Sequence, residues 1–173
     1  YLQYVTTSAN ATYHLLMAYR DFPKVFTDEK LATGLDGKNG MADVLDEARW
    51  GLDWLLKMHP RQDRMFNQIA DDRDHMGMRI PKEDAFYGKE YERPVYFLTG
   101  EPQQRGKFMN ETKGTSSTAG KFASAFALAH WLYANDSVFA AIDGERGYYS
   151  KAMSALQYGL KKKGVTQTAS VKS

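Results

Sequence analysis

The segment from Ser117 to Tyr133 constrains the fold most, because it is apolar on every face that a helix would present. Lys121 is its only fully charged residue, and a helix that is apolar all round must be covered on all sides. Its most apolar part, Phe122 to Ala134, is shorter than the roughly 20 residues that span a bilayer. The segment therefore predicts a buried helix of an all-α domain and no membrane span. Small residues that let neighbouring helices approach closely lie all around it: Ala119, Gly120, Ala123, Ala125, Ala127 and Ala129.

Three further long helices are predicted around this one. The clearest runs from about Met41 to Met58, because its apolar residues recur at helical period and Pro60 follows its end. Another spans about Tyr4 to Tyr19. The last spans about Tyr148 to Lys163 and follows a shorter helical piece near Ser137 to Ile142.

More than fifty residues without a convincing helix separate the second long helix from the third. Within them, Arg64 to Ala70 and Pro94 to Leu98 are candidate short strands that pair as a ladder. The many aromatic residues of this connection indicate that it is ordered, and long ordered connections in compact domains are usually functional. Buried helices joined by long ordered loops are typical of a helical barrel or toroid whose loops build a cleft. The sequence contains no internal repeat, which disfavours a solenoid.

Composition excludes several classes of function. The 173 residues suffice for one domain, and 43% hydrophobic and 25% charged residues are ordinary globular values. The net charge of +2 is scattered, so no basic stripe indicates a nucleic-acid partner. There is no cysteine, which rules out disulfides and thiolate metal sites, and no cofactor is expected. The first residues do not form a signal peptide and lack an initial methionine, so we expect a piece of a longer polypeptide.

Five segments, in order, resemble glycoside hydrolase family 9, the cellulase family with an (α/α)6 barrel. Tyr1–Thr12 looks like the helix that follows the family's Asp-Ala-Gly-Asp motif, and Asp43–His59 resembles its most recognisable helix. Asp71–His75 looks like the cleft loop, and Arg93–Phe97 and Ser117–Ala127 complete the match. The resemblance covers nearly the whole chain.

The resemblance implies that residues 1–173 are a partial family 9 catalytic domain that lacks its N-terminal and C-terminal parts. The expected fold is a portion of an (α/α)6 barrel with long ordered loops and a short β-hairpin. The implied reaction is inverting hydrolysis of β-1,4-glucans, with β-glucan or cello-oligosaccharide as ligand and a secreted or periplasmic location. Inversion needs two carboxyl groups about 6.5–9.5 Å apart, on opposite sides of the scissile bond.

Neither catalytic carboxyl group of the family is expected in this chain. By the resemblance, the base belongs to the Asp-Ala-Gly-Asp motif before Tyr1, and the acid is a glutamate beyond Ser173. The carboxylates of Asp71–Asp74, Asp46 and Glu47 are therefore interpreted as solvated or paired with neighbouring arginines. The sequence leaves open a calcium site at Asp71–Asp74, although no full ligand loop is present.

Four residues are predicted to bind substrate. His75 matches a family position that hydrogen-bonds sugar, and a neutral imidazole both donates and accepts. Arg79 and Arg93 are candidates for holding sugar hydroxyls or loop carboxylates, and Tyr87 is a candidate cleft aromatic. Relatives often place an aromatic residue shortly after this histidine, whereas Met76 follows it here.

Other conspicuous side chains are interpreted as structural. Trp50 and Trp54 lie on the regular second helix, so we expect both in the core. His14, His59 and His130 have no metal-ligand spacing and are expected to be structural.

Two alternatives stay open. One is a non-catalytic carbohydrate-binding remnant that folds alone as a half barrel. The other is a different α/α-toroid enzyme, such as a polysaccharide lyase or an epimerase, which would need its own base within this chain. Either way, part of a barrel would expose apolar surface, so we expect self-association or packing against the remainder of the same polypeptide.

Overall fold

The structure is a computed structural model that describes residues 2–70, 77, 80, 83, 93–137 and 139–171. The four long helices begin and end within two residues of the predicted bounds, whereas the short helix starts later than expected. None of the described helices is long and apolar enough to cross a membrane. Over the described residues the helices are α1 (Val5–Asp21), α2 (Asp43–Met58), α3 (Ser116–Ala134), α4 (Ala140–Arg146) and α5 (Tyr148–Lys161).

Helix α3 lies at the centre of the packing and contacts both α1 and α5, while α2 packs on α1. Its Phe122 ring is stacked near Phe126, whose ring in turn lies 6.1 Å from that of Tyr148 on α5. The aromatic residues of α3 therefore pack against α5, and the Tyr133 hydroxyl donates to the Leu45 carbonyl of α2 at 3.2 Å. The largest core side chains are Leu16, Leu45, Leu52, Leu55, Phe122, Phe126, Tyr133 and Tyr148.

The predicted cover of α3 is present on some of its faces and not on others. Ala119, Ala125 and Ala129 are fully buried, as close helix packing requires. Ser124, Ala127 and Trp131, in contrast, are exposed. No described element covers that face of the helix, so the apolar surface there faces outward.

A small antiparallel sheet joins the helices at one end. Its strands are β1 (Gln3–Tyr4), β2 (Phe66–Ile69) and β3 (Val95–Phe97), in the order β1-β2-β3. The predicted ladder between β2 and β3 is confirmed, with Ile69 opposite Val95 and a register shift nearer Phe66. Strand β1 was not predicted, because it is the short lead into α1 and has no alternating pattern of its own.

A second antiparallel sheet was also not predicted. It consists of β4 (Gln104–Arg105), β5 (Phe108–Met109) and β6 (Ser170–Val171), in that order. The pairing of β5 with β6 brings the last described residues back to the connection between β3 and α3.

Candidate functional site

The predicted cleft loop starts and ends at neighbouring points of the first sheet. Strand β2 ends one residue before Ala70, and the Ala70 amide donates to the Pro94 carbonyl at 2.7 Å. This hydrogen bond closes the base of the loop. Because β1 pairs with the other edge of β2, the start of α1 lies at the same end of the molecule. Two segments that carry the family resemblance, Tyr1–Thr12 and Arg93–Phe97, therefore meet here.

Three predicted substrate-binding residues, His75, Arg79 and Tyr87, lie outside the described residues. The same holds for the Asp71–Asp74 carboxylates and the calcium site considered there. Arg93 is described: it is half-buried and lies two residues before β3. The structure therefore places one of the four predicted residues, at the base of the loop.

Ala70, the first residue after β2, has a left-handed backbone conformation that is held by the contacts around it. Its φ is +68°, in the left-handed region where residues other than glycine are uncommon. The residue is buried, and the Gln68 side-chain amide donates to its carbonyl at 2.9 Å. Together with the bond to Pro94, this contact fixes the direction in which the chain enters the loop. Backbone strain held in this way is often associated with functional segments.

Aromatic and cationic side chains lie together on the β2–β3 ladder. The rings of Phe66 and Phe97 are 5.0 Å apart, and the Arg64 guanidinium lies 6.0 Å from the Phe97 ring. Phe97 is exposed, whereas its neighbour Tyr96 is buried, with the Arg105 guanidinium over its ring. Phe97 is thus a solvent-accessible aromatic face that sequence reasoning did not single out from the other aromatics of this connection.

The two tryptophans of α2 border a groove between α1 and α2. The prediction that Trp50 belongs to the core is wrong, since 69% of it is exposed. It lies on the side of α2 away from the stripe of Leu45, Leu52 and Leu55, and membership of a regular helix does not decide which face a residue occupies. Trp54 is half-buried against the core, and its indole N–H donates to Gln3 at 3.2 Å.

Two carboxylates of α2 have arginine partners, as the sequence predicts for Asp46. Asp46 is buried, pairs with Arg49 at 3.2 Å and accepts from Asn39. Asp53 accepts two hydrogen bonds from Arg146, the shorter at 2.6 Å. Among the described residues, no group of three or more metal-ligating side chains is close enough to hold an ion.

His59 is buried between α2, the start of the first sheet and α5. Its Nδ1 lies 3.0 Å from the Arg64 carbonyl, and its Nε2 lies 2.8 Å from the Ser154 hydroxyl. A carbonyl only accepts, so Nδ1 carries the proton and Nε2 accepts from the serine. The neutral ring is thus satisfied on both sides, and burial lowers the pKa of His59 below its ordinary value. His130 pairs with Asp143 at 2.9 Å, and His14 is exposed on α1.

The lowered pKa of His59 predicts a loss of stability in mild acid. As the pH falls, the unfolded chain binds a proton at the ordinary histidine pKa of 6.5, before the folded chain does. The contribution of the neutral His59 ring to the free energy of unfolding is therefore full above that pH. It falls as the pH drops through and below it, by at most about 1.4 kcal/mol per pH unit. Urea unfolding between neutral pH and pH 5 measures this slope. His59→Gln should remove it and His14→Gln should retain it; equal slopes in all three proteins would contradict the assignment.

Comparison with known proteins identifies the family of this chain and its fold. The family model for Glycosyl hydrolase family 9 matches residues 1–172. A metagenome-derived family 9 endoglucanase of known structure is 27% identical, with a TM-score of 0.62 over 96% of this chain and 26% of its own. The comparison with curated proteins finds no match.

Two further solved structures share the fold. The family 9 endoglucanase J30 is 22% identical, with a TM-score of 0.60 over 96% of this chain and 27% of its own. A family 9 protein of Bacteroides ovatus is 18% identical, with a TM-score of 0.61 over 93% of this chain and 25% of its own.

This chain thus spans about a quarter of the length of these solved relatives. Because they are (α/α)6 barrels, the helices described above form a portion of such a barrel. From the match over nearly all of its residues, and from the helices and strands that carry the matching segments, the chain belongs to glycosyl hydrolase family 9.

Proposed function

We propose that this chain is part of an inverting glycoside hydrolase that acts on β-1,4-glucans, and that these residues alone do not hydrolyse them. The family match over residues 1–172 carries this proposal. By the resemblance, the chain contributes part of the glucan cleft, whereas the base and the acid belong to motifs outside its 173 residues. A polymeric substrate is met outside the cytoplasm, so we propose a secreted or periplasmic location.

The geometry at the end of the first sheet supports a binding role. The bond from Ala70 to Pro94 closes the loop that contains His75, and Arg93 stands at its base. Phe97 adds an exposed ring on the adjacent strand. Sugar recognition uses aromatic faces for the rings and fixed polar groups for the hydroxyls. Among the described residues, this end of the molecule supplies the exposed Phe97 ring and the Arg93 side chain.

Cello-oligosaccharide titration and hydrolysis assays test the proposal together. Calorimetric titration with cellohexaose should show weak binding, which His75→Ala reduces by about tenfold, or about 1.4 kcal/mol, through loss of a sugar hydrogen bond. His14→Ala is the matched control, because His14 is exposed on α1 away from the loop. Carboxymethylcellulose and barley β-glucan should release no reducing ends.

Each part of the proposal has its own contrary outcome. No binding at millimolar cellohexaose would reject the cleft assignment. Hydrolysis by purified chain of verified mass, if a substitution in this chain abolished it, would show that the catalytic carboxyl groups lie within these residues. Binding without hydrolysis agrees with the proposal.

Association is the remaining part of the proposal. Ala127 and the 55% exposed Trp131 present apolar surface to solvent on α3, and exposed apolar patches mark interaction sites. We therefore propose that the chain associates with further polypeptide, either the remainder of a barrel or another copy.

A further inference from the structure

The sequence contains one asparagine that is followed by glycine, Asn39–Gly40, in the loop between α1 and α2. An asparagine in this context can lose its side-chain amide without an enzyme. The backbone nitrogen of the next residue gives up its proton and attacks the side-chain carbonyl carbon. The bond from that carbon to Nδ2 breaks, and the nitrogen leaves as ammonia. Water then opens the five-membered ring at either carbonyl, which gives aspartate or isoaspartate.

Two features of the folded chain favour this reaction at Asn39. Glycine has no side chain to obstruct the attacking nitrogen, and a Cβ at Gly40 would meet nothing within 4 Å. The Met41 amide donates to Asn39 Oδ1 at 2.9 Å. The same donor stabilises the negative charge that this oxygen acquires when the nitrogen attacks, as in an oxyanion hole.

A carboxylate opposes the first step. Asp28 accepts hydrogen bonds from the amides of Asn39 and Gly40, at 3.0 and 2.9 Å. The attack requires the Gly40 nitrogen to lose this proton, and a negative nitrogen beside a negative carboxylate is disfavoured. Asp28 therefore protects the site in the folded chain, and unfolding removes the protection.

A second carboxylate makes the product unfavourable. The Asn39 Nδ2 donates to Asp46 at 2.6 Å, and Asp46 is only 8% exposed. Deamidation replaces this donor with a carboxylate oxygen, so two like charges face each other with little water between them. Arg49 also pairs with Asp46 and offsets part of the repulsion. Isoaspartate in addition lengthens the backbone two residues before Met41, which lies in the core.

We propose that Asn39 is a site of spontaneous deamidation, which Asp28 slows in the folded chain and which weakens the attachment of residues 27–42 to Asp46 on α2. The reaction consumes only water and releases ammonia. Because the lost amide is not restored, the loss of stability accumulates with the age of the chain.

Mass spectrometry of the aged 173-residue chain tests the reaction. After incubation at mildly alkaline pH, trypsin cuts after Lys38 and Arg49, and the peptide between the cuts shows the replacement of NH2 by OH. Chain unfolded in guanidinium chloride should deamidate about tenfold faster than folded chain, since a charge-assisted hydrogen bond no longer holds the Gly40 proton. Folded Asp28→Ala should recover most of this difference.

Asp43→Ala is the matched control. The Asp43 carboxylate accepts from the amides of Glu29 and Lys30, so its loss loosens the same loop without touching the Gly40 nitrogen. This variant should deamidate at close to the wild-type rate, and circular dichroism confirms that both variants are folded. Equal acceleration in the two variants would assign the protection to loop rigidity and overturn the role of Asp28. A peptide that stays unmodified in the unfolded chain would reject the site itself.

Asn39→Asp tests the consequence for stability and should unfold at a lower urea concentration than the wild type at neutral pH. Asn10→Asp makes the same chemical change on α1, where Oδ1 accepts from Lys121 at 2.9 Å and the new charge faces a cation. It should leave the urea midpoint unchanged or raise it. A wild-type midpoint for Asn39→Asp would refute the loss of attachment to Asp46.

Discussion

A Gly114→Val variant is expected to lose about 3 kcal/mol of its free energy of unfolding, near the upper end of what overpacking costs. A Cβ atom at Gly114 would lie 2.5 Å from both the Cα and the N of Gly164. These are backbone atoms, so no side chain can move aside. The two segments are also hydrogen-bonded on either side of the contact, by Lys113 to Val165 and by Thr115 to Lys162.

The effect should extend to the start of α3, because Gly114 precedes it by two residues. Urea unfolding followed by tryptophan fluorescence measures the change. Gly144→Ala is the control: its added Cβ meets nothing within 4 Å inside α4, and it should stabilise by about 0.5–1 kcal/mol. If Gly114→Val unfolded within about 1 kcal/mol of the wild type, the close crossing of the two backbones would be refuted.

The long helices could be predicted from the sequence because their signal is local. The apolar stripe of α2 repeats at helical period, and Leu45, Leu52 and Leu55 occupy the buried face that the pattern predicts. Small and aromatic residues surround the axis of α3 and Lys121 is its only charged residue, so the sequence predicts a buried helix, which the described residues cover on some faces only. Both signals lie within one segment and need no knowledge of the rest of the fold.

The second sheet could not be predicted for the opposite reason. Strand β5 pairs with β6 across a long stretch of chain, and each strand has only two residues. No periodicity exists over such a length, and the pairing depends on how the helices between the strands are packed. The close approach of Gly114 to Gly164 could not be predicted for the same reason, because the sequence around neither glycine indicates that another backbone lies beside it.

The substrate-binding residues stay predictions, made from motif order and not from residue patterns alone. The resemblance implies a sugar-binding role for His75, while Arg79 and Tyr87 are candidates, and all three lie outside the described residues. The structure instead describes the base of their loop, where Ala70 and Pro94 meet. The error at Trp50 has a physical cause, since helix periodicity indicates a stripe but does not place large residues that fall outside it.

Replacing Gln68 with leucine is expected to destabilise the chain by about 2–4 kcal/mol, because buried polar groups would lose their partners. The Gln68 side chain is fully buried. Its Oε1 accepts from the Ala169 amide at 2.8 Å, and its Nε2 donates to the carbonyls of Ala70 and Ala169. Leucine has a similar volume but satisfies none of the three backbone groups.

A matched glutamine variant shows whether the loss of stability is specific to the buried Gln68 amide. Gln104→Leu is the control, since Gln104 is exposed and its single bond to Gly106 costs little to lose. In urea unfolding, only Gln68→Leu should show the large loss; a change below about 0.5 kcal/mol would refute the role of the amide.

Because Gln68 also holds the Ala70 carbonyl, the variant should weaken cellohexaose binding even at temperatures where it is folded. Weaker binding by folded Gln68→Leu would indicate that the strained residue at the end of β2 positions the loop that contains His75. Unchanged binding would limit the amide to holding the C-terminal segment against the first sheet. Either result tells whether the left-handed Ala70 serves the cleft or only the fold.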